Sequence, residues 1–392
     1  MLDSIHVGVT GLMSHQQGLR VIANNTANMS TPGFKSATLG FADLFGAATP
    51  GAGGNSIRLG HGVQAAGTQL NFSQGEMRQT GADFDLAVDG EGLFMLRDAE
   101  GATRYTRAGS FQFDGNGGFV NRADGSKVLG LDASGKVGAI TLDGLHLSPG
   151  QASSTLRFAG NLSSTVPQQT VPGLKVFDSL GQEHTLSLQL TSNDATKSGS
   201  WQAELLEGTT TVGTAEVVFV DGRPTAQTGK LTFSYTPAGR PPQDLVLDLS
   251  TDVTSFASGT LSTLAMGSQD GHAPGNLVKV SFDATGTLVA TYANGQTAKG
   301  PRLALGRFTT LEAVQDLGGS QFGEAGGIAW LHGAAGDAGF GAVRAGMLEM
   351  SNVDLSREFT DLVVMQRGYQ AASQVISTAN DMLQELFGMK HK

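Results

Sequence analysis

Apolar residues repeat at helical spacing at the two ends of this 392-residue chain and at strand spacing between them. Towards the end, Leu355, Phe359, Leu362, Gln366, Tyr369, Ser373, Ile376, Asn380, Leu383 and Phe387 keep a 3-4-3-4 step. The run covers roughly 33 residues, or about 50 Å of helix at 1.5 Å per residue. Ser351 and Asp354 offer an N-cap pair before it, and Gly388 a stop after it. At the start, Leu2, Ile5, Val9, Leu12, Leu19 and Ala23 follow the same spacing, with Gln16 the one polar break. A stripe of period 3.6 ordinarily packs a helix on its own domain. Here the period is 3.5, and Gln366, Ser373 and Asn380 fall at core positions. Polar core residues weaken a coiled coil but fix its register, which suits helices that must choose among identical neighbours. The two ends therefore read as a self-assembly seam.

Between the ends the pattern is that of short strands and tight turns. Phe111 to Val120 reads as strand, Asp-Gly-Asn-Gly-Gly turn, strand, as do Val128 onward and Leu288–Tyr292 before Asn294-Gly295. A loose unit recurs at Phe113, Leu131 and Phe282: an apolar residue, Asp, small residues, Gly, then apolar residues. Its spacing is irregular, so it is repeated hairpin chemistry and not a solenoid. Turn-rich stretches at 148–173 and 265–276 bracket an inserted β domain with strands such as Leu186–Leu190, Glu216–Val220 and Leu245–Leu249. Residues 46–62 are Gly/Ala-rich without periodicity and read as a linker or arm.

The expected fold is mixed, mainly β with long terminal α-helices: helical coiled-coil ends plus two antiparallel β domains, the outer one inserted into the inner one. The expected division is 1–45 and 347–392 for paired terminal helices and 46–70 for a linker or arm. Residues 71–147 and 271–346 form a discontinuous inner β domain, and 148–270 the inserted outer one.

Composition removes several classes of function. With 35 acidic against 25 basic residues the formal net charge is −10, and no Lys/Arg block occurs, which speaks against nucleic acid and anionic lipid. There is no cysteine, hence no disulfide, thiol chemistry or Cys-ligated zinc. No apolar run approaches ~18 residues, so no membrane insertion is expected, and the start lacks the pattern of a cleavable signal peptide. The Asp114–Gly118 stretch resembles the start of a calcium loop, but Gly118 and Gly125 stand where oxygen ligands are required. The eight histidines are scattered, and no His-Glu-x-x-His, Gly-x-Ser-x-Gly or phosphate loop occurs. The reading is a protein that is not an enzyme, with no catalytic, cofactor-binding or metal residues.

Ile22 to Lys35, with Asn24, Asn25, Asn28, Thr31, Gly33, Phe34 and Lys35, resembles the N-terminal signature of the flagellar rod and hook family. Physically, Asn tolerates the left-handed conformation and so ends a helix, and Pro32-Gly33 turns the chain. Thr80-Gly81 through Phe94, and Tyr105–Phe111, resemble the family's core strand-and-turn blocks. Ser351, Asn352, Val353 and Asp354 onward to Glu358, and Gln366–Ala371, resemble its C-terminal helix. The resemblance carried by these five ordered blocks extends over both ends and the flanking β region, about 220 residues. The long β insertion, and Val176–His184, are similar to the outer domain of the family's hook members. Arg20 departs from the acidic residue usual there.

The resemblance implies a subunit that polymerises with itself into a curved tube, a universal joint carrying torque from rod to filament. It implies passage through the flagellar type III export apparatus, location in the extracellular flagellum next to the basal body, and contact with rod, hook cap and hook-filament junction proteins. The terminal helices would line the channel. A distal rod protein with an insertion is the alternative within the family. A secreted β-rich binding or adhesin module with dimerising helical ends is the alternative outside it.

Overall fold

In a computed structural model of the chain, residues 2–44, 48–50, 56–58 and 60–390 are described. Helices form at both ends: α1 spans Leu2–Ala27 and α2 spans Leu355–Lys390. Asp354 caps α2, its Oδ1 accepting from the Ser356 N–H at 2.9 Å and the Arg357 N–H at 3.3 Å. The expected stop at Gly388 is corrected, because α2 runs through it to Lys390. A single glycine costs a helix about 1 kcal/mol, too little to end one by itself.

The helices pair antiparallel. A Cβ built on Gly8 would meet Ile376, one on Gly11 would meet Ala372, and one on Gly18 would meet Met365 at 2.9 Å. His15 lies against Gly368, and Asn25 bonds Glu358. On α1 the contact positions 8, 11, 15, 18 and 25, with the buried Ile22 in the same register, follow a 3-4 step, largely in small or polar residues. Counting large apolar residues passes over them.

The chain divides into two units. The first comprises Met1–Leu142, Ser281–Val289 and Lys299–Lys392, and the second Asp143–Val280 with Ala290–Ala298. In the first, strands such as Leu93–Arg97, Thr103–Thr106 and Lys127–Leu131 pair antiparallel. They bury Phe94, Phe111 and Phe119 in an aromatic cluster that Phe84, Phe113 and Phe282 extend. A two-stranded ribbon, Ala37–Asp43 with Val63–Leu70, is tied to α1 by Asn25, whose side chain bonds both the N–H and the carbonyl of Ala37. Within the 46–62 segment read as a linker, Ala48–Pro50 pairs with Ser56–Arg58. The rest of 46–59, and the side chain of Leu2, lie outside the described residues.

The second unit stacks period-two strands around one core. Leu186, Leu188 and Leu190 point inward from Glu183–Ser192, and Leu245, Leu247 and Leu249 from Gln243–Thr254. Pairing is mostly antiparallel. Thr155–Asn161, by contrast, runs parallel to Gln243–Thr254.

The recurring Asp-to-Gly unit forms one device. At Asp98, Asp114, Asp132, Asp178 and Asp283 the carboxylate accepts from the backbone N–H four residues on. The glycine three residues on (Gly101, Gly117, Gly135, Gly181 and Gly286) takes a positive φ. That is hairpin chemistry with a left-handed glycine. Asp114 is spent on its own turn.

Candidate self-assembly surface and its buried latch

The signature blocks, far apart in sequence, meet around Glu349. Its side chain is fully buried at the end of a short strand, Met347–Glu349. Oε1 accepts from Lys35 Nζ at 2.6 Å and from the Gly75 N–H at 3.0 Å, and Oε2 from Arg107 NH1 at 2.9 Å. Its backbone carbonyl accepts from the Gly33 N–H at 2.8 Å. Lys35 also donates to the Ser73 carbonyl at 2.8 Å, and Arg107 to those of Val88 and Gly90. Burial pulls the Lys35 ammonium below its usual pKa; Glu349 opposes this and Arg107 adds to it. One carboxylate thus fastens the N-terminal signature, the central block and the approach to α2.

Asn352 extends the latch. Its Oδ1 accepts from the Ser36 N–H at 2.8 Å, and its Nδ2 donates to the carbonyls of Asn71 and Ser73. Gly33 sits at φ +69°, against the Arg107–Ala108 backbone. The left-handed residue of the signature is therefore Gly33, and no asparagine takes that role among the described residues. The asparagines work through side chains instead. Asn28 bonds the Asn24 carbonyl and accepts from Thr31, and Asn25 donates to Glu358 at 2.9 Å. Burial raises the Glu358 carboxyl above its ordinary pKa; the Asn25 bond opposes this, while Asp361 and Asp354 add to it. Phe34 is half-buried, as are Ser351 and Val353, and Asp354 is exposed.

The seam residues divide between two faces. Ile5, Val9, Leu12 and Leu19 on α1, and Leu362, Ile376 and Leu383 on α2, are half-buried. Leu355, Phe359, Gln366, Tyr369, Ser373, Asn380 and Phe387 are exposed, Phe359 at 56% and Phe387 at 65%. Gln366, Ser373 and Asn380 therefore do not lie between α1 and α2. Among the described residues of α2 the buried positions are Glu358 and Ala379, one residue out of step with the large apolar series. Val363, Val364, Val375, Met382, Leu386 and Met389 are further exposed apolar residues of α2. Sequence reasoning missed Glu349 as a site. Its signal was a lone carboxylate in the apolar run Met347-Leu348-Glu349-Met350.

A helix pair that leaves many large apolar side chains exposed, latched to β structure, defines an axial assembly protein of the bacterial flagellum once the sequence matches are added. The families described as "Flagella basal body rod protein", "Flagellar hook protein FlgE/F/G D1 domain" and "Flagellar basal body rod FlgEFG protein C-terminal" match residues 5–35, 87–168 and 344–389. A flagellar hook protein of Treponema pallidum is 30% identical, with all of both chains covered. That of Escherichia coli K12 is 30% identical over 97% of this chain and 98% of its own. The chain belongs to the flagellar hook protein family. A crystal structure of the Helicobacter pylori hook protein FlgE2 shares the fold at TM-score 0.50 and 14% identity, covering 70% of this chain and all of that one.

Proposed function

We infer that this chain is the structural subunit of the bacterial flagellar hook, self-assembling into the curved tube that transmits torque from rod to filament. The observation that carries the reading is end-to-end similarity to hook proteins together with an unpartnered apolar face on α2. Full-length similarity to hook proteins leaves the rod-protein and adhesin alternatives without support. The role is structural and requires no catalysis. The terminal helices supply the innermost contacts of the tube, through the seam residues on the exposed face of α2. Rod, hook cap and hook-filament junction proteins are its neighbours, and the type III export apparatus delivers it. The domain division expected from composition belongs to this reading, with 148–270 as a body that folds on its own core.

A strain lacking the gene tests it. Such cells are expected to be non-motile, with basal bodies that end in rods. Normal swimming with normal filaments would overturn the reading.

A further inference from the structure

Asn-Gly occurs twice in the chain, at Asn116-Gly117 and Asn294-Gly295, and both pairs fold into the same backbone turn. In the first, the Gly117 N–H donates to the Asp114 carbonyl at 3.1 Å, the Asp114 N–H to the Gly118 carbonyl at 2.8 Å, and Gly117 takes φ +77°. In the second, the Gly295 N–H donates to the Tyr292 carbonyl at 3.0 Å, the Tyr292 N–H to the Gln296 carbonyl at 2.9 Å, and Gly295 takes φ +78°. Each asparagine therefore stands one residue before a left-handed glycine at a hairpin tip.

The two side chains are held differently. Asn294 is half-buried. Its Nδ2 donates to the Ala273 carbonyl at 2.8 Å and to Ser148 Oγ at 3.3 Å, and its Oδ1 accepts from the Gln296 N–H at 3.0 Å. Its Cγ packs against Gly275, where a Cβ would stand 2.6 Å away. Asn116 is exposed, and its carboxamide makes no hydrogen bond among the described residues. Its backbone N–H alone is held, by Asp114 Oδ1 at 2.9 Å.

We propose that Asn116 is a site of spontaneous deamidation in the folded protein and that Asn294 is shielded from it. The Gly117 amide nitrogen, its proton taken by hydroxide, attacks the Asn116 Cγ. A C–N bond forms, the bond from Cγ to Nδ2 breaks, and ammonia leaves with a proton returned by water. Water then opens the five-membered succinimide at one of its two carbonyls, leaving aspartate or isoaspartate. One water is consumed and one ammonia released, with no change of oxidation state. Glycine permits the attack because no Cβ crowds its nitrogen. The Asn116 carboxamide is free to swing onto that nitrogen, whereas the Asn294 carboxamide must first give up the bonds that hold it. The product adds one negative charge to a chain of net charge −10, beside Asp114. As isoaspartate it also lengthens the backbone of the turn joining Phe111–Phe113 to Phe119–Asn121. The inference does not depend on the hook reading.

The experiment incubates the full-length chain in mildly alkaline buffer, with and without denaturant, and samples it over time. Peptide mass spectrometry with electron-transfer fragmentation then measures aspartate and isoaspartate at each site. In the folded chain Asn116 is expected to convert at least about tenfold faster than Asn294, the cost of releasing a side chain held by several hydrogen bonds. In denaturant the two rates are expected to converge, because each Asn-Gly pair then answers to its sequence alone. Asn116→Gln is expected to abolish the charge variant that ageing of the folded chain otherwise produces. Equal rates in the folded chain, or no product at Asn116, would overturn the proposal. A difference that persists undiminished in denaturant would assign it to flanking sequence and overturn the structural argument equally.

Discussion

Replacing Glu349 with Gln should unfasten the first unit while barely changing its shape. The carboxylate holds Lys35 at 2.6 Å and Arg107 at 2.9 Å, with side chains 1%, 6% and 0% exposed for Lys35, Arg107 and Glu349. Gln retains one acceptor, so the Gly75 N–H can still be satisfied, but two buried cations lose their counter-charge. Removing one partner of a buried ion pair costs about 3–5 kcal/mol. With two cations stranded side by side, the upper end applies. For a unit of this size each kcal/mol moves the midpoint by about 2–4 °C, so a fall of roughly 10 °C or more is expected. The assay is calorimetry of the full-length monomer. The core of the second unit contains neither residue, so any separate transition it gives should stay in place. A fall below roughly 2 °C, or a rise, would show that the latch does not hold the signature blocks together.

Other substitutions probe the neighbouring claims. Gly33→Ala places a Cβ against the Ala108 backbone at a left-handed φ, and should destabilise the monomer by about 2 kcal/mol, read by denaturant titration. Phe359→Asp alters a side chain 56% exposed in the monomer, so melting should shift by less than about 0.5 kcal/mol while tube formation, read by sedimentation, is lost. Ala379→Leu does the reverse first: it overpacks a position 1% exposed between the helices and should lower the monomer melt. A final case is acid. Burial alone would raise the Asp178 pKa, but the Gln182 and Leu180 N–H groups, His184 and Arg240 bring it down to about 2. A depressed carboxyl stabilises the fold above its unfolded pKa and loses that contribution as pH falls through the folded one. The second unit should therefore lose stability between about pH 4 and pH 2, and Asp178→Asn should be less stable at neutral pH with a flatter acid limb, read by pH-dependent melting.

Much of the architecture was legible because it rests on periodicity. The helical ends, the inward leucines of Glu183–Ser192 and the Asp-to-Gly hairpins all follow from side-chain spacing and turn chemistry. The helix interface was not, because Gly8, Gly11 and Gly18 form the α1 side of it by absence of bulk, while the apolar series divides between that interface, at Ile376, and the exposed surface, at Phe359 and Phe387. The latch was half legible. Lys35 and Asn352 stand in recognisable signatures, but Glu349 is a single carboxylate that only the tertiary fold brings to Arg107. The parallel pairing of Thr155–Asn161 with Gln243–Thr254 was invisible for the same reason: nothing local in either strand encodes its partner.

The central claim is that the chain builds a tube through its terminal helices, and electron cryo-microscopy of the polymer grown from purified protein tests it most directly. The expected image is a hollow, curved tube with α1 and α2 at the smallest radius and Phe359, Tyr369 and Phe387 buried between copies. A chain that stays monomeric, or a polymer in which those three side chains remain exposed to solvent, would contradict it.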